Sequence, residues 1–174
     1  MRDCAGRIVG IQVRSYRKDA KAKYTWLSST SKGGPSPGVP LHVPLPVDGN
    51  GWPESTPSIT GTEGPLKADL FVARRKSLCV AIAGVNNFKR FADAIDWFRP
   101  KRFVLALDSD VCVNQAVAAS FVQSTALVRK RGVEPAAEVW DAESAKGIDD
   151  LIALDGKSQI LSGDLFTDLS LIHI

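Results

Sequence analysis

The feature that constrains the fold most is a short apolar run that ends in two carboxylates, Arg102-Phe-Val-Leu-Ala-Leu-Asp108-Ser-Asp110. A continuous apolar run of this length, bounded by polar residues, predicts a strand that is buried on both faces. Such strands belong to parallel sheets covered by helices, and ligands of those sheets bind beyond the carboxyl ends of the strands. Because side chains alternate along a strand, Asp108 and Asp110 point the same way and can hold a hard cation. The same pair is also typical of a turn or of the N-cap of a following helix.

From residue 58 onward the order of predicted elements is β-α-β-α-β-α, which is typical of an α/β fold with a parallel sheet flanked by helices. The strands are predicted at 58–62, 78–83, 102–107 and 136–140. The helices are predicted at 65–75, from a cap at Asn86 or Asn87 to Pro100, from near Asn114 to Gly132, and at 151–154. In the first helix we expect Leu66, Leu70 and Ala73 to form the apolar face.

The N-terminal segment of the chain is basic. Residues 1–34 carry eight Lys/Arg against two Asp, a net charge of +6, whereas the remaining 14 basic and 17 acidic residues give −3. Strands at 6–14 and 23–28 predict an antiparallel hairpin, which we take as an extension spanning residues 1–30. The hairpin presents five cations, with Tyr24 and Trp26 nearby: Arg14, Arg17, Lys18, Lys21 and Lys23. This pattern favours a nucleic-acid partner, although a solvated hairpin with cross-strand aromatic packing fits equally well.

Residues 31–57 form a loop-rich connection, and eight of the ten prolines lie between 31 and 65. We expect Leu41-His42-Val43 to add a short edge strand and Trp52 to anchor the loop. His42 has no ligand partner in the sequence pattern, so we interpret it as structural or exposed. The three cysteines have no metal-ligand spacing, which suits a reducing compartment. The absence of a signal peptide or long apolar span argues against secretion and membrane insertion, so we expect a cytoplasmic protein.

Acidic residues follow three predicted strands: Glu63, the pair Asp108 and Asp110, and the pair Asp149 and Asp150. If the strands are parallel, all of them come to the same edge of the sheet. Carboxylates about 4 Å apart repel by roughly 1–4 kcal/mol per pair, so a fold that gathers them needs a compensating cation. Mg²⁺ accepts a few carboxylates and keeps its other positions for water and phosphate oxygens. The chemistry that fits is phosphoryl or nucleotidyl transfer, with a glutamate as general acid or base. Asp149 and Asp150 also fit the first turn of a helix, where acidic residues are common.

The ordered set of motifs resembles the Toprim domain of bacterial-type DNA primases, topoisomerases and related nucleases. Within that group it resembles most a Toprim-like domain of unknown function, numbered 3854, which occurs in replication proteins of phages, plasmids and integrative elements. The resemblance covers about residues 5–155. The Toprim-like domain itself is expected at residues 58–168. It rests on five segments: Gly6-Arg-Ile-Val-Gly10, Tyr24-Thr-Trp-Leu-Ser-Ser29, Thr62-Glu-Gly-Pro-Leu-Lys-Ala68, Leu107-Asp-Ser-Asp-Val111 and Lys146-Gly-Ile-Asp-Asp150.

The resemblance implies a Rossmann-like parallel sheet and a role for each acidic residue. Glu63 would be the general acid or base, or a carboxylate that organises the metal. Asp108 and Asp110 would hold Mg²⁺ or Mn²⁺, with Asp149 and Asp150 completing the acidic rim. Phosphate or nucleic-acid contacts are expected from four cations: Lys67, Lys146, Arg14 and Lys23. For Lys67 we favour the simpler interpretation, a solvated helix lysine.

Several points depart from this family or compete with it. Val111 stands where many Toprim proteins carry a small or acidic residue. A zinc-binding segment and a helicase motor are not evident, so we expect such domains as partners outside this sequence, with DNA as the favoured nucleic acid. A non-catalytic nucleic-acid-binding or assembly module on the same fold is the main alternative. A dehalogenase-type phosphatase is less favoured because it leaves Glu63 without a role. A DxD glycosyltransferase is less favoured because it leaves the 146–150 segment without a role.

The last six residues, 169–174, do not continue the preceding pattern. They are what the end of a transposase-based sequencing adaptor, CTGTCTCTTATACACATC, encodes. We interpret them as a non-native tail and exclude His173 from the candidate site.

Overall fold

The computed structural model describes residues 1–17, 19–20 and 22–163. Lys18 and Lys21 of the predicted hairpin and the 169–174 tail lie outside the described residues. Within the described residues the main sheet contains five strands: β3 (Ser58–Glu63), β4 (Cys79–Ile82), β5 (Arg102–Ala106), β6 (Glu134–Val139) and β7 (Gln159–Ser162). Their spatial order is β4-β3-β5-β6-β7. The first four are parallel, as predicted, and β7 runs antiparallel to β6. We did not predict β7, because Gln159 and Ile160 are exposed and the segment has no buried apolar run.

In the described part of the chain, four α-helices cover the sheet: α1 (Pro65–Arg75), α2 (Phe91–Phe98), α3 (Gln115–Lys130) and α4 (Ile148–Ala153). Residues Val85–Arg90 form a 3-10 helix, so α2 begins at Phe91 and not at a cap near residue 87. Asn87 instead donates its side-chain amide to the Ala83 carbonyl oxygen at 2.7 Å. The Asn114 prediction is confirmed, since its side chain accepts from the Ala116 N–H at 3.1 Å and caps α3.

The bounds of α1 match the prediction, but the predicted apolar face is wrong. The helix buries Ala68, Phe71 and Val72, whereas Leu66 is 57% exposed. The buried set has the spacing i, i+3, i+4, which matches one face of a helix as well as the predicted set does. The observed face includes Phe71, and burying its phenyl ring removes more apolar surface from water than burying a second leucine would.

Two apolar layers sandwich the sheet. One joins α2 and α3 to the sheet through large side chains that include Phe91, Phe98 and Phe103. The other joins α1 and α4 to the opposite face through a set that includes Ala68, Phe71 and Ala106. Both α1 and α4 begin at the carboxyl edge of the sheet.

The N-terminal part confirms an antiparallel hairpin, but a shorter one than predicted. Strand β1 (Gln12–Arg14) pairs with β2 (Tyr24–Trp26), with Val13 opposite Thr25. His42 pairs its backbone with Ala81 through two hydrogen bonds of 2.8 Å, so the predicted edge segment is a single bridge beside β4. The His42 ring is 6% exposed and lies 2.9 Å from Asp69, which makes it structural. Trp52 anchors the loop by donating to the Pro44 carbonyl oxygen at 2.7 Å.

Within the described residues, none of the helices is both long enough and apolar enough to cross a membrane.

Candidate active site at the carboxyl edge of the sheet

The strand order places a switch point between β3 and β5. The chain runs from β3 outward to β4 on one side and then crosses to β5 on the other side. In open α/β sheets, ligands bind in the crevice that such a reversal opens outside the carboxyl ends of the strands. Glu63 is the last residue of β3, and Asp108 follows the end of β5 by two residues. The sequence prediction that these two acidic residues share an edge is confirmed.

Asp108 is paired with a lysine from helix α1. The Lys67 Nζ contacts the Asp108 Oδ1 and lies 3.9 Å from the Asp149 Oδ1. The side chain of Lys67 is 19% exposed and that of Asp108 is 16% exposed. The interpretation of Lys67 as a solvated helix lysine is therefore wrong, and this residue belongs to the site.

The acidic segment after β5 is tied to the segment before α4. The Ser109 N–H donates to the Lys146 carbonyl oxygen at 2.9 Å, and the Ser109 hydroxyl donates to the Ala145 carbonyl oxygen at 3.0 Å. These bonds bring Asp110 and Asp149 to the same region. The Lys146 Nζ lies 3.5 Å from the Asp110 Oδ2, and its side chain is 68% exposed.

Two carboxylate oxygens of the site, the Oδ1 atoms of Asp110 and Asp149, are buried and find no hydrogen-bond partner among the residues that the structure describes. Buried polar atoms are usually satisfied, and an unsatisfied one points to an ion or water that belongs there. Anionic oxygens are the ligands that Mg²⁺ and Mn²⁺ prefer. The donor set of Asp108, Asp110 and Asp149 therefore fits such a metal. In the part of the chain that the structure describes, no group of three or more His, Cys, Asp or Glu side chains is gathered tightly enough to hold a metal as it stands.

Asp150 has a different position from Asp149. It is exposed, and its Oδ2 accepts from the Gly147 N–H at 3.5 Å at the start of α4. A carboxylate in the first helical turn stabilises the helix through the orphan N–H groups and the dipole. A place for Asp150 among the metal ligands stays a prediction.

Burial raises the pKa of Glu63 above its ordinary value, and the neighbouring carboxylates of Asp108 and Asp110 raise it further against the opposing charges of Lys67 and Lys146. A carboxyl group with a raised pKa can hold a proton closer to neutral pH and exchange it with a reacting group. This environment suits a general acid or base.

Sequence reasoning missed Gly147. A Cβ atom there would lie 2.4 Å from the Asp149 Oδ1 and 2.7 Å from the Lys67 Nζ, so a side chain at this position would displace one or both charged groups. The signal available in the sequence was the glycine inside the Lys-Gly-Ile-Asp-Asp motif, next to the predicted acidic rim.

Sequence reasoning also missed an apolar cavity of about 200 Å³ beside Asp108. Its lining includes Leu107, Val111, Phe121 and Trp140. The Trp140 ring is fixed by a 2.9 Å hydrogen bond from its Nε1 to the Ala145 carbonyl oxygen. The cavity places apolar surface directly next to the acidic residues.

Arg14 and Lys23, which are predicted to contact phosphate or nucleic acid, lie on the hairpin. The Arg14 guanidinium stands 5.1 Å from the Tyr16 ring centre and 6.0 Å from that of Tyr24. The Lys23 ammonium lies 5.8 Å from the Tyr24 ring centre. Tyr16 is 85% exposed, so this surface combines cations with accessible aromatic rings.

Comparison with solved structures shows that the fold is similar to that of primase domains. The crystal structure of the Aquifex aeolicus primase, comprising zinc-binding and RNA polymerase domains, is similar with a TM-score of 0.55 and 17% identity over 92% of this chain and 40% of that one. A second match comes from the structure of the bacteriophage T7 lagging-strand DNA polymerase with the primase domains of two gp4 subunits, an RNA/DNA hybrid and dTTP. Its TM-score is 0.56, with 16% identity over 88% of this chain and 68% of that one. The chain thus spans less than half the length of the Aquifex protein.

The chain belongs to the family described as domain of unknown function DUF3854, whose model matches residues 52–159. No curated protein matches the sequence.

Proposed function

We propose that the chain is a Mg²⁺- or Mn²⁺-dependent, Toprim-like module of a mobile-element DNA replication protein, which acts on nucleic-acid phosphodiesters or nucleotides in the manner of a primase. The observation that carries the proposal is that Glu63, Asp108, Asp110 and Asp149 all lie along the carboxyl edge at the switch point, where two buried carboxylate oxygens find no hydrogen-bond donor among the described residues. A fold gathers such charges at a ligand-binding edge when a cation and a phosphate complete them.

Each residue has a role that follows from its position. Asp108, Asp110 and Asp149 would hold the metal, which when bound neutralises charge on phosphate oxygens and orients them. Glu63 would act as the general acid or base, exchanging a proton with the reacting hydroxyl or leaving oxygen. Lys146 has an exposed ammonium beside Asp110, where it can contact a phosphate oxygen.

The comparisons support the choice of substrate class. One similar structure is named as a primase with an RNA polymerase domain, and the other contains primase domains bound to an RNA/DNA hybrid and dTTP. The family resemblance adds the mobile-element context and DNA as the favoured template. A zinc-binding domain and a helicase are the partners that we propose for the complete protein.

The test is nucleotidyl transfer and phosphodiester cleavage on labelled single-stranded and primed DNA, with and without Mg²⁺ or Mn²⁺. We expect metal-dependent product from the parent and at least about a hundredfold less from Glu63→Gln, since a general acid or base typically contributes that much. The matched control is Glu134→Gln, an exposed glutamate at the opposite edge of the sheet, which should retain activity. Equal activity of Glu63→Gln and the parent would contradict the assigned role.

The hairpin supports a second candidate function, non-catalytic binding or assembly on nucleic acid. The observation that favours it is the accessible cation and tyrosine surface formed by Arg14, Lys23, Tyr16 and Tyr24. Replacing Arg14 and Lys23 with Gln should weaken binding to single-stranded DNA and reduce the salt slope by about 1 to 2, since each lost phosphate contact removes about one unit. Binding with an unchanged slope would exclude the hairpin from the interface.

A further inference from the structure

The ammonium of Lys67 lies next to two carboxylates of the candidate site, those of Asp108 and Asp149. It reaches from the first turn of α1 to Asp108 after β5, and it stands 3.9 Å from the Oδ1 of Asp149 in the first turn of α4. The side chain of Asp149 is 33% exposed, and those of Lys67 and Asp108 are more buried still. One lysine thus bridges two carboxylates that come from different segments of the chain.

The backbone makes room for this lysine at Gly147. A Cβ atom there would stand 2.7 Å from the Lys67 Nζ and 3.1 Å from its Cε. Gly147 has φ −113° and ψ 163°, which any residue adopts. The backbone conformation itself does not demand glycine, and the space beside its Cα is occupied by the charged end of Lys67 and by Asp149, which a larger residue would displace.

The second lysine of the site is arranged differently. Lys146 is 68% exposed and lies 3.5 Å from Asp110, so water screens its charge. Neither lysine satisfies the buried Oδ1 atoms of Asp110 and Asp149 by a hydrogen bond. Lys67 therefore neutralises part of the negative charge of the site and leaves the Oδ1 atoms of Asp110 and Asp149 without a hydrogen bond from either lysine.

We propose that Lys67 is a displaceable counter-cation, which occupies the position between Asp108 and Asp149 in the metal-free protein and competes with a divalent cation for Asp108. This inference rests on the proposed metal-dependent function. The flexible four-carbon stem of lysine lets the ammonium withdraw while α1 stays in place. A divalent cation and an ammonium cannot share Asp108 at contact distance without strong repulsion, so metal entry and lysine release are coupled. The released ammonium is then free to contact phosphate.

The test is calorimetric titration of the full chain with MgCl₂, comparing the parent with Lys67→Met. Methionine keeps most of the side-chain volume and removes the charge. We expect Lys67→Met to bind Mg²⁺ about tenfold tighter or more, because the competing cation is gone. The control Lys101→Met removes an exposed charge just before β5, at the opposite edge of the sheet, and should change the affinity by less than about threefold.

The outcomes separate this inference from the proposed function. If the parent binds Mg²⁺ and Lys67→Met binds it no tighter, the competition is wrong and metal dependence stands. If only Lys67→Met binds, the competition is supported and metal dependence of the parent is contradicted. If neither folded protein binds Mg²⁺, both the competition by Lys67 and the proposed metal dependence are overturned.

A second measurement uses only the parent protein and does not depend on the folding of a variant. Lysines are acetylated with an amine reagent, with and without saturating Mg²⁺, and the modified peptides are quantified by mass spectrometry. We expect Lys67 to be protected without metal and to react several-fold faster with it, whereas Lys146 reacts readily in both conditions. An unchanged rate at Lys67 under conditions where Mg²⁺ binds would overturn the proposal.

Discussion

The hydroxyl of Thr62 donates a 2.8 Å hydrogen bond to the backbone carbonyl oxygen of Ala106, and both residues are fully buried. This bond joins β3 to β5 one residue before Glu63 and two residues before Asp108. It helps to fix the register between the carboxyl ends of β3 and β5, which carry Glu63 and Asp108.

Replacing Thr62 with Val keeps the shape and removes the donor. We expect the free energy of unfolding to fall by about 1–2 kcal/mol, the usual cost of losing a buried hydrogen bond. Urea denaturation measures this change. Thr56→Val is the control, since its exposed hydroxyl donates to the nearby Ser58 carbonyl oxygen and its loss should cost much less. Equal losses in both variants would show that the bond does not stabilise the strand ends.

The raised pKa of Glu63 predicts a pH-dependent stability in metal-free buffer. A carboxyl whose pKa is higher in the folded state binds its proton more tightly there, so the stability falls as the pH rises from the ordinary value of 4.5 through the folded pKa. Glu63→Gln cannot lose a proton, so its stability relative to the parent should increase across that range. Denaturation at a series of pH values with EDTA tests this, with the exposed Glu54→Gln as the control. A constant difference between Glu63→Gln and the parent would contradict the assigned environment.

The buried carboxylate of Glu138 depends on Arg75. Its side chain is 2% exposed and accepts from the Arg75 Nη1 at 2.5 Å and from the Ser158 hydroxyl at 2.6 Å. Arg75→Met should destabilise the fold by about 3–5 kcal/mol, because it leaves a buried charge uncompensated.

The matched control for this ion pair is Arg102→Met. Arg102 pairs with Glu134, and both side chains are more than 40% exposed, so the loss should stay below about 1 kcal/mol. Thermal or urea unfolding distinguishes the two variants. If both cost the same, Glu138 is not held by Arg75.

Gly61 is required for the packing of the large apolar layer. A Cβ atom at this position would lie 2.5 Å and 2.6 Å from two ring atoms of Phe103 and 3.0 Å from the Phe91 ring. Gly61→Ala should therefore cost about 1–3 kcal/mol by overpacking. Combining it with Phe103→Leu should recover part of that loss, so the two substitutions should be less than additive in a double-mutant cycle. Strict additivity would show that the predicted clash does not occur.

The sequence predicted the strands and the shared edge because buried parallel strands are continuous apolar runs and their ends carry polar residues. Glu63, Asp108 and Asp110 could be placed in this way, since the position of a strand end follows from the chain alone. The pairing of Lys67 with Asp108 could not, because it depends on the rotation of α1, and the stripe through Leu66 and Leu70 predicted that rotation wrongly. The shortened hairpin and the bridge at His42 likewise depend on tertiary contacts that have no local sequence signal.

The most direct test of the account is Mg²⁺ binding by calorimetry on the full chain, in the parent and in Asp108→Asn/Asp110→Asn. We expect saturable binding in the parent and at least about tenfold weaker binding in the double variant, because two anionic ligands are lost. The control Asp96→Asn/Glu134→Gln removes two exposed carboxylates that pair with Arg131 and Arg102, and it should bind as the parent does. Equal affinity in the Asp108 and Asp110 variant, or no binding by a folded parent, would contradict the metal site.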